Sequence, residues 1–311
     1  MKAIVVFLGV LAAQFPLAAW GRDGHIVIAR MGAAHLTPQA RAQVIALLRN
    51  DPEAGKYLEG NSPDVAGAMA AVSNWADETK GENGTSAWHF LNLAASQGKT
   101  DIPGVCVSDD CITARLAQLI AVLPAGQPYR FGSESFTPAE QLKFVIHFMA
   151  DLHQPLHCAT NADAGGNCIR TSGFSSSELH AAWDTQLVER LEKGGTEKTA
   201  RSLDAQFASS YAAFTMLTGV EDMAIESHGI AFSGVYPPLE AAGLTIQPVW
   251  HAVSTRCGEA PSYEQPPAAV LSWGTFNLAV LYAGGAQEQI VARQLTAAAY
   301  RLADLLNRLF P

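Results

Sequence analysis

The chain has 311 residues, is 49% hydrophobic and only 16% charged, and carries a formal net charge of −9. This composition supplies a sizeable apolar core, and the length allows one large domain or two ordinary ones. The acidic balance excludes binding of polyanions through a broadly basic surface, unless something local reverses the sign.

Residues 1–19 carry one positive charge (Lys2), an apolar run from Ile4 to Ala13 and small residues at the end. That pattern predicts a secretory signal cleaved between Ala19 and Trp20, too short to span a membrane. Leu17 sits where a small residue is commoner. No later segment reaches ~18 uninterrupted apolar residues, so no membrane helix is predicted. Export implies an oxidising compartment, periplasmic or extracellular.

The predicted elements are almost all helical. "TPQARAQVIALL" (37–48) opens with a Thr cap and Pro at the first helical position. "ITARLAQLIAVL" (112–123) is amphipathic, and "TPAEQLKFVIHFMADLH" (137–153) repeats the Thr-Pro start, with Glu140 completing a capping box. "SELHAAWDTQLVERL" (177–191) and "QEQIVARQLTAAAYRLADLLNRLF" (287–310) follow. Gly/Pro/Ser-rich connectors at 124–135, 159–177 and 257–267 are too short or too mixed to be interdomain linkers. Alternating strand patterns are scarce and no internal repeat is visible, so the expected fold is a single all-α domain over 20–311. Five cysteines leave at least one without an intrachain partner. Cys106 and Cys111 flank a short "VSDD" loop and are suited to pair. Cys158 with Cys168 would close a Gly-rich loop, with Cys257 a competitor for either.

The chemistry concentrates in "FVIHFMADLHQPLH" (144–157). His147 and Asp151 are four apart on a helix and share one face. Pro155 breaks that helix, so His157 can turn back toward the face. His180 and Asp184 in "LHAAWD" repeat the spacing on another helix. Two inward-facing His/Asp faces are a way to build a multinuclear metal site in a bundle. Imidazole with carboxylate suits zinc, and the lack of thiolate pairs argues against a purely structural zinc. Asp77 in "SNWADETK" and His89 in "SAWHFLN" join them, although each alone reads as an ordinary helix-end or packed residue.

In order and spacing, "WGRDGH", "WADE", "HF", "HFMADLHQPLH", "GGN" and "LHAAWD" resemble the zinc-dependent single-strand-specific nucleases of the S-one/P-one type. Bacterial zinc phospholipase C is a more distant relative. The resemblance implies a phospholipase C/nuclease-type all-α fold with three zinc ions in a cleft. One would be held by Asp77, His89, His147 and Asp151, and a second by His157, His180 and Asp184. The third would be held by His25, by Asp151 as a bridge, and by the free amine and carbonyl of Trp20. Phe90 matches the family's base-stacking aromatic. Asn92 stands where an Asp that contacts the base is common, and Lys80 where an Arg often faces the scissile phosphate. Asp77, Lys80 and Asp151 are thereby the expected catalytic groups.

The expected activity is secreted endonucleolytic hydrolysis of single-stranded RNA and DNA to 5′-phosphorylated products, with 3′-nucleotidase activity, by a metal-activated water. The metals would make the site locally positive within an acidic chain. Phe90 would stack a splayed base that a stiff duplex cannot present. A monomer without stable membrane association is expected. The alternatives are a zinc phospholipase C, which usually has Glu at the position of Asp184, and a non-catalytic zinc-stabilised binding protein. His153 reads as structural, and His35, His228 and His251 as surface or core residues. Trp75, Trp88 and Trp183 read as packing around the site. "NGT" at 83–85 is a glycosylation sequon, relevant in a eukaryotic source. The glycines at 21 and 24 are expected to let the chain turn so that His25 reaches the ion held by Trp20.

Overall fold

The computed structural model describes residues 20–192, 194–247 and 274–311. The expected signal segment, His251 and Cys257 lie outside them. Helices dominate, as the periodicity predicts. The first four are α1 (Arg22–Ala34), α2 (Pro38–Leu48), α3 (Val65–Val72) and α4 (Trp75–Asn83). Then come α5 (Ile112–Val122) and α6 (Pro138–Asp151). Helix α7 runs through Leu179–Ala181, a π turn at Ala182–Gln186 and Leu187–Leu191. It is followed by α8 (Thr196–Phe207), α9 (Val220–Ile230) and α10 (Ala286–Leu309).

Helix α6 is the centre of the molecule. Every residue from Gln141 to Asp151 is buried, the mark of a helix enclosed on all sides. Its start is fixed by the predicted capping box: Glu140 N–H donates to Thr137 Oγ1 (3.3 Å) while Thr137 N–H donates to Glu140 Oε2 (2.7 Å). Helices α1, α2, α3, α4, α5 and α10 all pack on α6, and α1 also packs on α8. Their apolar faces form one core, including Trp88, Phe144, Phe148, Trp183 and Tyr300.

Two short ribbons escaped the sequence reading, being only two or three residues per strand. β1 (Tyr129–Phe131) pairs antiparallel with β2 (Glu134–Phe136), and β3 (Thr171–Ser172) pairs parallel with β4 (Phe276–Asn277). The Cys106–Cys111 disulfide is formed. Cys158 is free and buried. A Cys158–Cys168 bond is therefore absent, although Cys168 is itself disulfide-bonded. Among the described residues no helix is long and apolar enough to cross a membrane.

Candidate metal centre and cleft

The break after α6 does what the Pro155 signal predicts. The helix ends at Asp151, and a 3-10 turn over Pro155–His157 returns His157 to the face carrying His147 and Asp151. The π turn in α7 widens the helix by one residue at Asp184, a distortion frequent at functional sites. His180 Nε2 still lies 3.2 Å from Asp184 Oδ2. Three groups that could hold metal ions result among the described residues: His25, Asp77 and His147; His89, His147 and Asp151, which shares His147 with the first; and His157, His180 and Asp184.

Around Asp151 the spacings are short. Its Oδ2 lies 2.9 Å from His89 Nδ1 and 3.2 Å from His147 Nε2, and its Oδ1 lies 3.3 Å from His25 Nε2. Asp77 Oδ1 is 3.4 Å from His89 Nδ1 and 3.7 Å from His147 Nε2. Asp151 thus has one carboxylate oxygen near His89 and His147 and the other near His25. Trp20 is fully buried immediately before α1.

Backbone carbonyls fix three of the rings. His147 Nδ1 faces Ser73 O (2.7 Å), His157 Nδ1 faces His89 O (2.9 Å) and His180 Nδ1 faces Gly165 O (2.6 Å). A carbonyl only accepts, so each Nδ1 carries the proton and each Nε2 is turned inward. Asp184 is held in turn: Gln154 Nε2 donates to its Oδ1 (2.6 Å) while Gln154 Oε1 accepts from Leu156 N–H (2.6 Å).

The donor set fits cations. His25 Nε2, His157 Nε2, Asp77 Oδ2 and Asp151 Oδ1 are buried without a hydrogen-bond partner. The 3.3 Å approach of His25 to Asp151 lacks hydrogen-bond alignment. Burial lowers the pKa of His25 and His89 and brings His157 down to about 4, so these rings are neutral and offer lone pairs. At His147 burial works the same way, but the Asp151 and Asp77 carboxylates override it and raise the ring to about 9. His180 is raised against its burial by Asp184. The carboxylates thus favour positive charge at both places. Burial opposes the charge of Asp151, yet His147 holds its carboxyl well below the usual range.

The centre opens into a cleft of about 360 Å³, lined by His89, His157 and His180 together with Lys80, Phe90 and Asn92. The opposite part of the lining is Ala164, Gly165 and Asn167, from the "GGN" stretch. Lys80 Nζ donates to Asp77 Oδ1 at 2.8 Å. Eight of the nine candidate ligands, all but Trp20, thus fall into these groups, and His89, His157 and His180 line the cleft with the three residues Lys80, Phe90 and Asn92. His153 is buried, with Nδ1 donating to Met149 O (2.7 Å) and Nε2 accepting from Arg301 (2.9 Å), as a structural residue. His228 is also buried, bonded to Ala94 O, and His35 is half-exposed and paired with Asp204.

One expectation is corrected. Gly24 does not provide a turn, since it lies inside α1; Gly21 does stand in the turn before α1, its carbonyl accepting from Gly24 N–H at 2.8 Å, but neither has a positive φ. They are needed for close approach. A Cβ at Gly21 would meet Thr185 Oγ1 at 2.8 Å and Asp184 O at 3.0 Å, and one at Gly24 would meet Trp20 Cβ at 2.9 Å. Gly21 N–H donates to Asp184 O at 2.6 Å, so the segment before α1 docks on the turn that carries Asp184. Gln154, Gly165 O and Asn167 lie in stretches quoted from the sequence, "HQPLH" and "GGN", but were given no role there. The run "HQPLH" held the only signal for Gln154.

A family model described as S1/P1 nuclease matches residues 20–259. Endonuclease 2 of Arabidopsis thaliana is 28% identical over 204 residues, covering 62% of this chain and 63% of that protein. Nuclease P1 of Penicillium citrinum is 27% identical over 191 residues, covering 59% and 63%. Nuclease S1 of Aspergillus oryzae is 27% identical over 190 residues, covering 59% of each. The chain thus spans less than two thirds of the length of these relatives.

Proposed function

Because the chain belongs to the S1/P1 nuclease family, we propose that it is a hydrolytic endonuclease acting on single-stranded RNA and DNA. It leaves 5′-phosphorylated products and also acts as a 3′-nucleotidase. The observation that carries this reading is the set of inward-turned imidazole and carboxylate atoms, buried and unpartnered, beneath an open cleft.

The donor chemistry suits zinc. Asp77, His89, His147 and Asp151 would hold one ion, and His157, His180 and Asp184 a second. His25 and Asp151 would hold a third, with the amine and carbonyl of Trp20 after removal of residues 1–19. When bound, the ions supply the Lewis acidity that activates water and neutralises phosphate and leaving oxygen. The chain's own groups do the rest. Phe90, half-buried on the cleft, stacks a base, and the Asn92 amide beside it can both donate to and accept from a base edge. Lys80 brings an ammonium to the phosphate, though not the two-pronged contact of an arginine. Asp77 and Asp151 would act through the ions they help to hold, and no separate general base is required. A duplex cannot stack one base on Phe90 while its phosphate reaches the floor of the cleft, which gives single-strand preference.

Export as a monomer into an oxidising compartment completes the reading. The test is zinc analysis of the exported protein with single-strand cleavage measured before and after chelation. Three zincs per chain and chelator-sensitive cleavage are expected. A stoichiometry near one, or turnover of phosphatidylcholine with DNA left intact, would overturn it.

A further inference from the structure

Loop 159–168 supplies the Gly165 carbonyl to His180 and one part of the cleft lining, yet its shape is one that residues other than glycine avoid. Ala162 and Ala164 have φ of 59° and 54°, and Gly165 and Gly166 follow at 64° and 86°. No Cys158–Cys168 bond closes the loop, since Cys158 is free. Cys168 at the loop's end is disulfide-bonded, and within the loop the tie is Asp163, which is fully buried. Its carboxylate accepts from Asn161 N–H (3.0 Å), from the Thr160 hydroxyl (3.5 Å) and from the hydroxyl of Tyr236 (3.0 and 3.3 Å). Tyr236 is buried at the end of a π turn over Ala231–Val235, with its ring stacked on Phe232. Burial raises its phenol well above the usual range, so it keeps the proton that it donates.

The loop has little freedom elsewhere. A Cβ at Gly165 would meet Leu156 O at 2.6 Å, so the loop lies directly against the turn that delivers His157. Any relaxation around Asp163 therefore moves the carbonyl on His180 (2.6 Å) and the lining residues Ala164 and Asn167 together.

We infer that Asp163 and Tyr236 are positioning residues: the phenol clamps the carboxylate, the carboxylate shapes the loop, and the loop aims His180 and forms one wall of the substrate cleft. The inference rests on the ion-dependent reading above. It assigns a working role to a buried Tyr–Asp pair that touches neither ion nor substrate.

The test compares the parental protein with Tyr236→Phe, which removes only the hydroxyl. The control is Tyr300→Phe, which removes a buried hydroxyl donated to Asp204 (2.8 Å), outside the loop. Each protein is loaded with Co²⁺, and ion loss is followed by visible absorption during chelator titration, well below the unfolding midpoint. KM and kcat are measured on a single-stranded oligonucleotide in saturating zinc. In Tyr236→Phe one ion should be lost about tenfold more readily, the size usual when a group orienting a ligand is removed. KM should rise several-fold with kcat nearly unchanged. Tyr300→Phe should lower only the melting temperature. Asp163→Asn should move both readouts in the same direction as Tyr236→Phe. If Tyr236→Phe behaves as Tyr300→Phe does, in ion retention and in KM, the inference is wrong, whatever its melting temperature. A parental protein that binds no ion and cuts no strand removes the ion-dependent reading, and this inference with it. A parental protein that does both leaves the loop as the only matter in question.

Discussion

Gln154 links two candidate ligands of one ion, and its replacement has a calculable effect. The side chain is fully buried and makes two bonds of 2.6 Å, to Asp184 Oδ1 and from Leu156 N–H. Gln154→Met roughly preserves volume, so cavity effects stay small. The lost bond to a charged carboxylate contributes about 1.5–3 kcal/mol, and a buried N–H left unpaired costs about 1–3 kcal/mol. The metal-free protein should therefore lose about 2.5–6 kcal/mol of unfolding free energy. The same change frees both the Asp184 carboxylate and the turn that carries His157. Zinc should then be released about 10- to 100-fold more readily, equivalent to about 1.4–2.8 kcal/mol. Urea unfolding with and without zinc, together with chelator competition, measures both quantities. Unfolding within about 0.5 kcal/mol of the parental protein, the range of a surface substitution, with zinc release unaltered, would refute the reasoning.

Four further outcomes are expected. Gly21→Ala should displace the segment before α1 from Asp184 O, because a Cβ there would lie 3.0 Å from that oxygen. One ion should be lost selectively in zinc analysis, with the other two retained. A mature form carrying one added Met before Trp20 should show the same selective loss and little nuclease activity; full activity would refute the terminal-amine ligand. Phe90→Ala should raise KM on single strands by about 5- to 100-fold with kcat much less affected, since a stacked base is worth about 1–3 kcal/mol. Asp51→Asn should strand the buried ammonium of Lys143, now 2.9 Å from Asp51 Oδ2, and cost about 3–5 kcal/mol at neutral pH. Burial opposes the Asp51 charge, but the Ala54 and Glu53 N–H groups and Lys143 hold its carboxyl below the usual value. A depressed carboxyl contributes stability that is fully present above the unfolded value near pH ~4 and disappears as pH falls through the folded one. The gap between the metal-free parental protein and Asp51→Asn should accordingly narrow in urea unfolding below pH ~4.

Much of the site was legible because side-chain identity and helical spacing encode it. His147 with Asp151 and His180 with Asp184 were readable as shared faces, and Pro155 as the break that returns His157. The carbonyls of Ser73, His89 and Gly165 that orient the rings were not, because any residue can present a carbonyl and only the fold decides where it points. Gly24 was misread, and the close approach at Gly21 missed, for a related reason. A glycine in sequence signals either conformational freedom or lack of room, and only the neighbours of Gly21, Thr185 and Asp184, distinguish them. The π turn at Ala182–Gln186 was likewise hidden behind a pattern that reads as a plain helix. The short ribbons lacked enough residues to show alternation.

The gathering of ligands from α1, α4, the turn before Phe90, α6, the Pro155–His157 turn and α7 bears on how the molecule comes apart. No ion can be held by a local fragment, since each needs segments distant along the chain. Opening the core therefore means releasing ions, and stability becomes a function of their concentration. A single site at about a thousand times its dissociation constant adds about 4 kcal/mol. Where zinc is plentiful, the slow departure of an ion can set the lifetime of the folded state. On the ion-dependent reading proposed above, a zinc-poor chain would rest on its helical core and disulfides, and metal supply would govern its persistence as well as its chemistry.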